Sequence, residues 1–145
     1  MSMHHEDQRS TVLILGAGFG GLGAARKLAK APVDVLLVDR HNYHTFQPML
    51  YQVATDVLDP ETVGHPVREY VDVQANLRFV TANVTGIDLD ARRVSFDDWD
   101  DQTYDRLVVA LGARVNFFGT AGAEEHAFPL YTLNDSIRLK NHVLE

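Results

Sequence analysis

The sequence predicts an α/β fold in which a parallel sheet is joined by a β-meander, and three observations carry that prediction. Val12–Leu15 is an unbroken apolar run closed by glycine, as expected of a strand buried on both faces of a parallel sheet. A segment of helical period follows it directly, and a second apolar run, Val33–Val38, follows the helix. Positions 11–38 therefore read as a β-α-β unit whose crossover is right-handed.

The helix is read from Gly20 to Lys30, with Leu22, Ala25 and Ala29 inward, Arg26, Lys27 and Lys30 on the wet side, and Pro32 closing the segment. Residues 41–55, HNYHTFQPMLYQVAT, have no strand period. They read as a functional loop with one or two helical turns, opened by Pro48 and turning Met49, Leu50 and Val53 inward. Pro66 opens another helix to about Val73. Leu77–Leu89 and Arg92–Phe96 are β-rich, with DDWDDQ as a solvated acidic turn after Phe96. Tyr104–Leu111 is a further buried strand ending at Gly112. At the end, Thr132 or Asn134 caps a helix with Leu133, Ile137, Lys140 and Leu144 on one side, and the chain stops inside it.

Composition bounds the function. With 145 residues and 46% hydrophobic content the chain suits one domain with a core. A net charge of -7 and 13 scattered basic residues argue against a nucleic-acid partner, because phosphate contacts need clustered Lys and Arg. There is no cysteine, which removes disulfides, thiolate metal sites and a redox dithiol from consideration. The first ten residues are polar and read as a disordered N-terminus. No apolar stretch approaches the roughly 20 residues that span a bilayer, so the default compartment is the cytoplasm.

Four glycines fall within Gly16–Gly21, and Gly16, Gly18 and Gly21 fit G-x-G-x-x-G. Each has its own use: a tight turn out of the strand, close approach of backbone to a pyrophosphate, and close helix–strand packing. Asp39 ends the next strand at about the 20-residue offset where a carboxylate reaches a ribose hydroxyl. Together these features make the domain Rossmann-like with a dinucleotide site; the alternative is a tight α/β turn without a ligand. Asp39 would repel a 2′-phosphate, whereas Arg40 reads either as that phosphate's partner or as an exposed arginine beside adenine. His41 and His44 read as surface loop residues rather than metal ligands, and no metal site is expected.

Five stretches in order, VLILGAGFGGLGAARKL, VDRHNYHTFQPMLYQVAT, TANVTGIDLDARRV, YDRLVVALGARVNFFG and EEHAFPLYTLNDSIRLKNHVLE, resemble the N-terminal part of the type II NADH dehydrogenases. These are single-subunit flavoprotein NADH:quinone oxidoreductases, and the resemblance covers nearly everything after residue 10. It implies that the first glycine motif holds FAD rather than NADH. Gly16, Ala17, Gly18, Phe19, Gly20 and Gly21 would line the pyrophosphate, Asp39 would take the adenosine ribose with Arg40 close by, and Val84 would lie near the adenine. Ala110, Leu111 and Gly112 match the family's A-T-G element with leucine in place of threonine. Phe46, Gln47 and Pro48 would line the isoalloxazine, although Phe46 reads equally as core and Gln47 as a helix cap.

The implied partners are NADH and a quinone, at the cytoplasmic face of the inner membrane. Residues 11–119 would be an incomplete FAD-binding domain, and 120–145 a connection towards an NADH domain carrying the second glycine motif that this chain lacks. The chain alone would then be inactive. A flavin-free NAD-binding module and a non-catalytic fragment are the alternatives.

Overall fold

The computed structural model describes residues 9–145. In chain order the elements are β1 (Ser10–Leu15), α1 (Phe19–Lys27), β2 (Val33–Asp39), β3 (Tyr43–Thr45), a 3-10 turn (Gln47–Met49), α2 (Leu50–Ala54), α3 (Pro60–Val63), β4 (Gly64–Pro66) and α4 (Arg68–Val71). They continue with β5 (Leu77–Thr81), β6 (Val84–Asp88), β7 (Arg93–Phe96), β8 (Gln102–Thr103), β9 (Arg106–Val109), α5 (Ala123–His126) and α6 (Leu133–Leu144). The predicted disordered start lies largely outside the described residues, but Ser10 already belongs to β1. The chain divides into two compact units, one running to Asn42 and resuming over Val67–Leu111, the other made of Tyr43–Pro66 and Gly112–Glu145.

The first unit holds a four-stranded parallel sheet in the order β5-β2-β1-β9, with Leu15 opposite Val38 and Val109. Strand alternation divides the apolar side chains between two cores. Val12, Ile14, Val35 and Leu37 face Leu22 and Ala25 of α1 and Val67, whereas Leu13, Leu15 and Val38 face Val94 and Phe96 of the antiparallel sheet β6-β7-β8. A parallel sheet needs cover on both faces, and the run TVLIL supplies apolar side chains to each. Leu13, Ile14 and Leu15 are fully buried, each contributing about 1.5–3 kcal/mol on removal from water.

Three sequence expectations need correction in this unit. The predicted buried strand over Tyr104–Leu111 is shorter, Arg106–Val109, and lies at the sheet edge, so Val109 is 58% exposed. The acidic turn is not wholly solvated, because Trp99 tilts against Phe96 with ring centroids 5.2 Å apart. Helix α1 ends at Lys27 and leaves Ala29 exposed.

That early end has a tertiary cause. α1 has no glycine at its C-terminus to close it; the Leu28 N–H turns back onto the Ala24 and Ala25 carbonyls, and the loop before β5 adds side-chain donors. Gln74 Nε2 donates to the Ala25 carbonyl at 3.0 Å, and Asn76 Nδ2 donates to Leu28 at 3.0 Å and Val33 at 2.9 Å. Asn76→Ala is expected to lower stability by about 1–3 kcal/mol, since partly buried carbonyls lose their donor. Chemical denaturation checks this, and an unchanged midpoint would rule out the role.

The second unit contains the ribbon β3-β4, with His44 opposite His65, and a small core of Leu50, Val53 and Val63 against Leu133 and Ile137 of α6. The 41–55 segment therefore does contain a strand, and His44, expected on the surface, is buried. The pairing partner, Gly64–Pro66, lies too far along the chain for local periodicity to reveal it. The helix expected after Pro66 to about Val73 is the single turn Arg68–Val71 and leaves Val73 exposed. Pro48 does sit in a 3-10 turn that runs into α2, with Leu50 and Val53 inward. Thr132 caps α6 in a reciprocal box: Asp135 N donates to Thr132 Oγ1 at 3.1 Å, and Thr132 N to Asp135 Oδ2 at 2.8 Å. Leu144, read on the same side of the helix as Leu133 and Ile137, is exposed.

Candidate functional site

Parallel pairing brings the carboxyl ends of β1, β2, β5 and β9 to one edge of the sheet of the first unit, the edge at which open α/β sheets take ligands. Residues 16–21 turn there from β1 into α1. Gly16 has φ +101, a region that side chains rarely tolerate, and its N–H donates to the Val38 carbonyl at 2.7 Å. A Cβ on Gly16 would collide with the Ala110 carbonyl, and one on Gly21 with the Gly16 carbonyl. These two glycines are needed by the fold itself, for the turn and for seating α1 against it.

Gly18 differs. It is the N-cap of α1 and offers no side chain to cap the first turn, in which no acidic residue stands. Its backbone is extended, φ -77 and ψ -168, and a Cβ there would meet nothing within 4 Å. Gly20 is also exposed, with only ordinary contact to the Ala110 Cβ at 3.5 Å. The turn thus presents bare backbone at the positive end of a nine-residue helix.

Asp39 reaches back to this turn. Its Oδ2 accepts from the buried Ala17 N–H at 2.6 Å, and its Oδ1 accepts from His41 N at 2.8 Å. A carboxylate has about four lone-pair positions, so two hydrogen bonds leave acceptor capacity for hydroxyls. The Ala82 N–H donates to the Asp39 carbonyl at 3.0 Å, which fixes the entry to β6 and Val84 beside the end of β2. Arg40 is exposed. At the entry to β6, the Asn83 side-chain amide donates to Asp97 at 3.0 Å and, ahead of backbone donors, holds that carboxyl below its ordinary value.

The sequence-derived site residues fall in both units. Gly16–Gly21, Asp39, Arg40, Val84, Ala110 and Leu111 belong to the first, and within it Ala17 joins Asp39 while Ala110 and Leu111 pack their backbone on Gly16. Ala110 N donates to the Leu15 carbonyl at 2.8 Å, so the threonine-to-leucine change leaves the turn in place. Phe46, Gln47, Pro48 and Gly112 belong to the second unit. Phe46 is 38% exposed rather than core. Gln47 does not cap its turn by side chain; its Nε2 donates to the Tyr131 carbonyl at 3.1 Å.

Sequence reasoning missed Tyr131, whose hydroxyl accepts from Ala113 N at 3.1 Å. Only its place directly before a helix cap could have drawn attention to it. Among the described residues no group of three His, Cys, Asp or Glu comes together to hold a metal, and no helix is long and apolar enough to cross a membrane.

The model of one protein family, Pyridine nucleotide-disulphide oxidoreductase, matches residues 10–145. The chain belongs to this family. Within it, the chain is similar to the type II NADH:quinone oxidoreductase Ndh of Mycobacterium tuberculosis, 39% identical over 140 residues, covering 94% of this chain and 30% of that protein. Its fold resembles NDH2 from Plasmodium falciparum, TM-score 0.83 at 22% identity over 91% of this chain and 28% of that one. It equally resembles the sulfide:quinone oxidoreductase of Aquifex aeolicus, TM-score 0.82 at 23% identity over 93% and 32% of the two chains. The chain thus spans about a third of the length of these three proteins.

Proposed function

We propose that this chain supplies the FAD-binding part of an oxidoreductase that passes electrons from NADH to a quinone. Gly18 carries the nucleotide half of this reading. Neither strain nor packing demands glycine at a position with extended backbone and open space around its Cα. A ligand that must approach the backbone closely does demand it, and at an uncapped helix N-terminus that ligand is an anion. The nearby carboxylate of Asp39, with acceptor capacity to spare, suits a ribose, so the pair of features fits a nucleotide's pyrophosphate and sugar rather than a free phosphate.

In this reading the amides of Gly18–Gly20 and the start of α1 face the pyrophosphate, Asp39 orients the ribose, Arg40 and Val84 flank the adenine, and the Ala110–Gly112 segment completes the turn. Phe46, Gln47 and Pro48 are assigned to the isoalloxazine. FAD, when bound, supplies a two-electron carrier between NADH and a quinone, while the protein positions it and sets the polarity around it. Two facts support flavin over a thiol relay: these 145 residues contain no cysteine, and the 39% identical relative bears the name NADH:quinone oxidoreductase. The cytoplasmic face of the inner membrane is the corresponding location.

Gly18→Ala tests the reading because it fits the fold and intrudes only on the ligand. The melting temperature should stay within a few degrees, since loss of a glycine cap and reduced unfolded-state entropy oppose each other at well under 1–2 kcal/mol. FAD affinity, measured by flavin fluorescence quenching, should fall at least tenfold. Unaltered affinity in Gly18→Ala, or a wild-type chain that ignores FAD, would defeat the proposal; stabilisation by NADH alone would favour a flavin-free NAD-binding module.

A further inference from the structure

Tyr131 lies in the loop before α6, outside the glycine turn, and its polar atoms hold three separate segments of the second unit. Its hydroxyl accepts from Ala113 N at 3.1 Å, its carbonyl accepts from Gln47 Nε2 at 3.1 Å, and its N–H donates to Asp135 Oδ2 at 3.3 Å in the box that caps α6. Gly112, next to Ala113, has φ +75, and the Tyr131 hydroxyl sits 3.6 Å from where its Cβ would be. The turn is thus one that glycine permits and the phenol completes.

The contact with Gln47 also settles which way that amide faces. A carbonyl only accepts, so the nitrogen of Gln47 must point to Tyr131 and the amide oxygen must point elsewhere. We infer that Tyr131 is a positioning residue of the cofactor site: it fixes the Gly112–Ala113 turn and holds Gln47 so that its side-chain oxygen is offered as an acceptor to a ligand N–H. This rests on the flavin reading above, in which Gln47 and Gly112 both belong to the site. The amide oxygen then faces a ligand hydrogen-bond donor, such as a ring imide, while the second N–H of Gln47 is left to donate elsewhere.

The phenol can be removed without touching the carbonyl. Tyr131→Phe keeps the ring and the backbone, so the unit should remain folded, whereas amide exchange at Ala113 N–H should accelerate more than tenfold. FAD should bind about three- to tenfold more weakly, the loss of one neutral hydrogen bond, and the visible circular dichroism of the bound flavin should change. Gln47→Glu, which replaces the donor facing Tyr131 by a second acceptor, should alter the same dichroism, and the two changes combined should cost less than their separate effects added together. Wild-type affinity and dichroism in Tyr131→Phe would overturn this inference while leaving the flavin reading intact. A wild-type chain that fails to bind FAD would overturn both.

Discussion

Gly21→Ala is expected to lower the melting temperature by about 10 °C or more, because the new methyl group would be driven into the Gly16 carbonyl. Overpacking of a tight contact costs roughly 1–3 kcal/mol and more where only backbone can yield. Here nothing but backbone is available. Gly16 is itself held at φ +101 by its hydrogen bond to Val38 and by the Ala110–Leu111 backbone packed against it. Relief would require α1 to lift off the sheet, exposing Leu22 and Ala25, which are buried against Ile14 and Leu37. Gly23→Ala, two positions on in the same helix, meets nothing within 4 Å and should be stabilising by about 0.5–1 kcal/mol. Thermal melts of the two variants give opposite signs if helix and turn are seated as described. Similar melts for both would refute the seating.

Asp39→Ala should cost stability and nucleotide binding together. Stability falls by about 1–3 kcal/mol, since the buried Ala17 N–H loses its acceptor at 2.6 Å and the turn loses its tie to the end of β2. Binding falls further. Two hydroxyls of a ribose hydrogen-bonded to a carboxylate are worth about 1.5–3 kcal/mol each, so FAD affinity should drop by about 100-fold to 10,000-fold. Asp39→Asn separates the effects: its amide oxygen can still accept from Ala17, restoring part of the stability although the His41 N–H loses its acceptor, while the lost charge leaves binding impaired. Equal affinity of wild type and Asp39→Asn, read by isothermal titration, would remove Asp39 from the site and return it to a purely structural tie.

The first unit was largely legible because its signals are local. An apolar run that ends in glycine, a helical period and a second apolar run lie within positions 10–39, and each is decided by residues a few places apart. The Asp39 carboxylate was legible for the same reason: parallel pairing of β1 with β2 in a short crossover leaves its position little freedom. Thr132 as a helix cap was likewise readable from side-chain chemistry alone.

What failed to show was everything set by partners distant in the chain. β3 exists because Gly64–Pro66 pairs with it, and His44 is buried because that ribbon forms. α1 stops at Lys27 because Gln74 and Asn76, some 50 residues on, take its carbonyls. Tyr131 meets Gln47 across 84 residues of chain. The sequence by itself determined the β-α-β core, the glycine turn and the carboxylate opposite it, because steric permission and hydrophobic period are properties of neighbouring residues. Only the tertiary structure decided which glycines the fold needs and which it leaves bare. That distinction depends on what stands across the gap from each Cα, and Ala110, the atom group that occupies the gap at Gly16, is brought there by a strand that enters the sheet some 90 residues later.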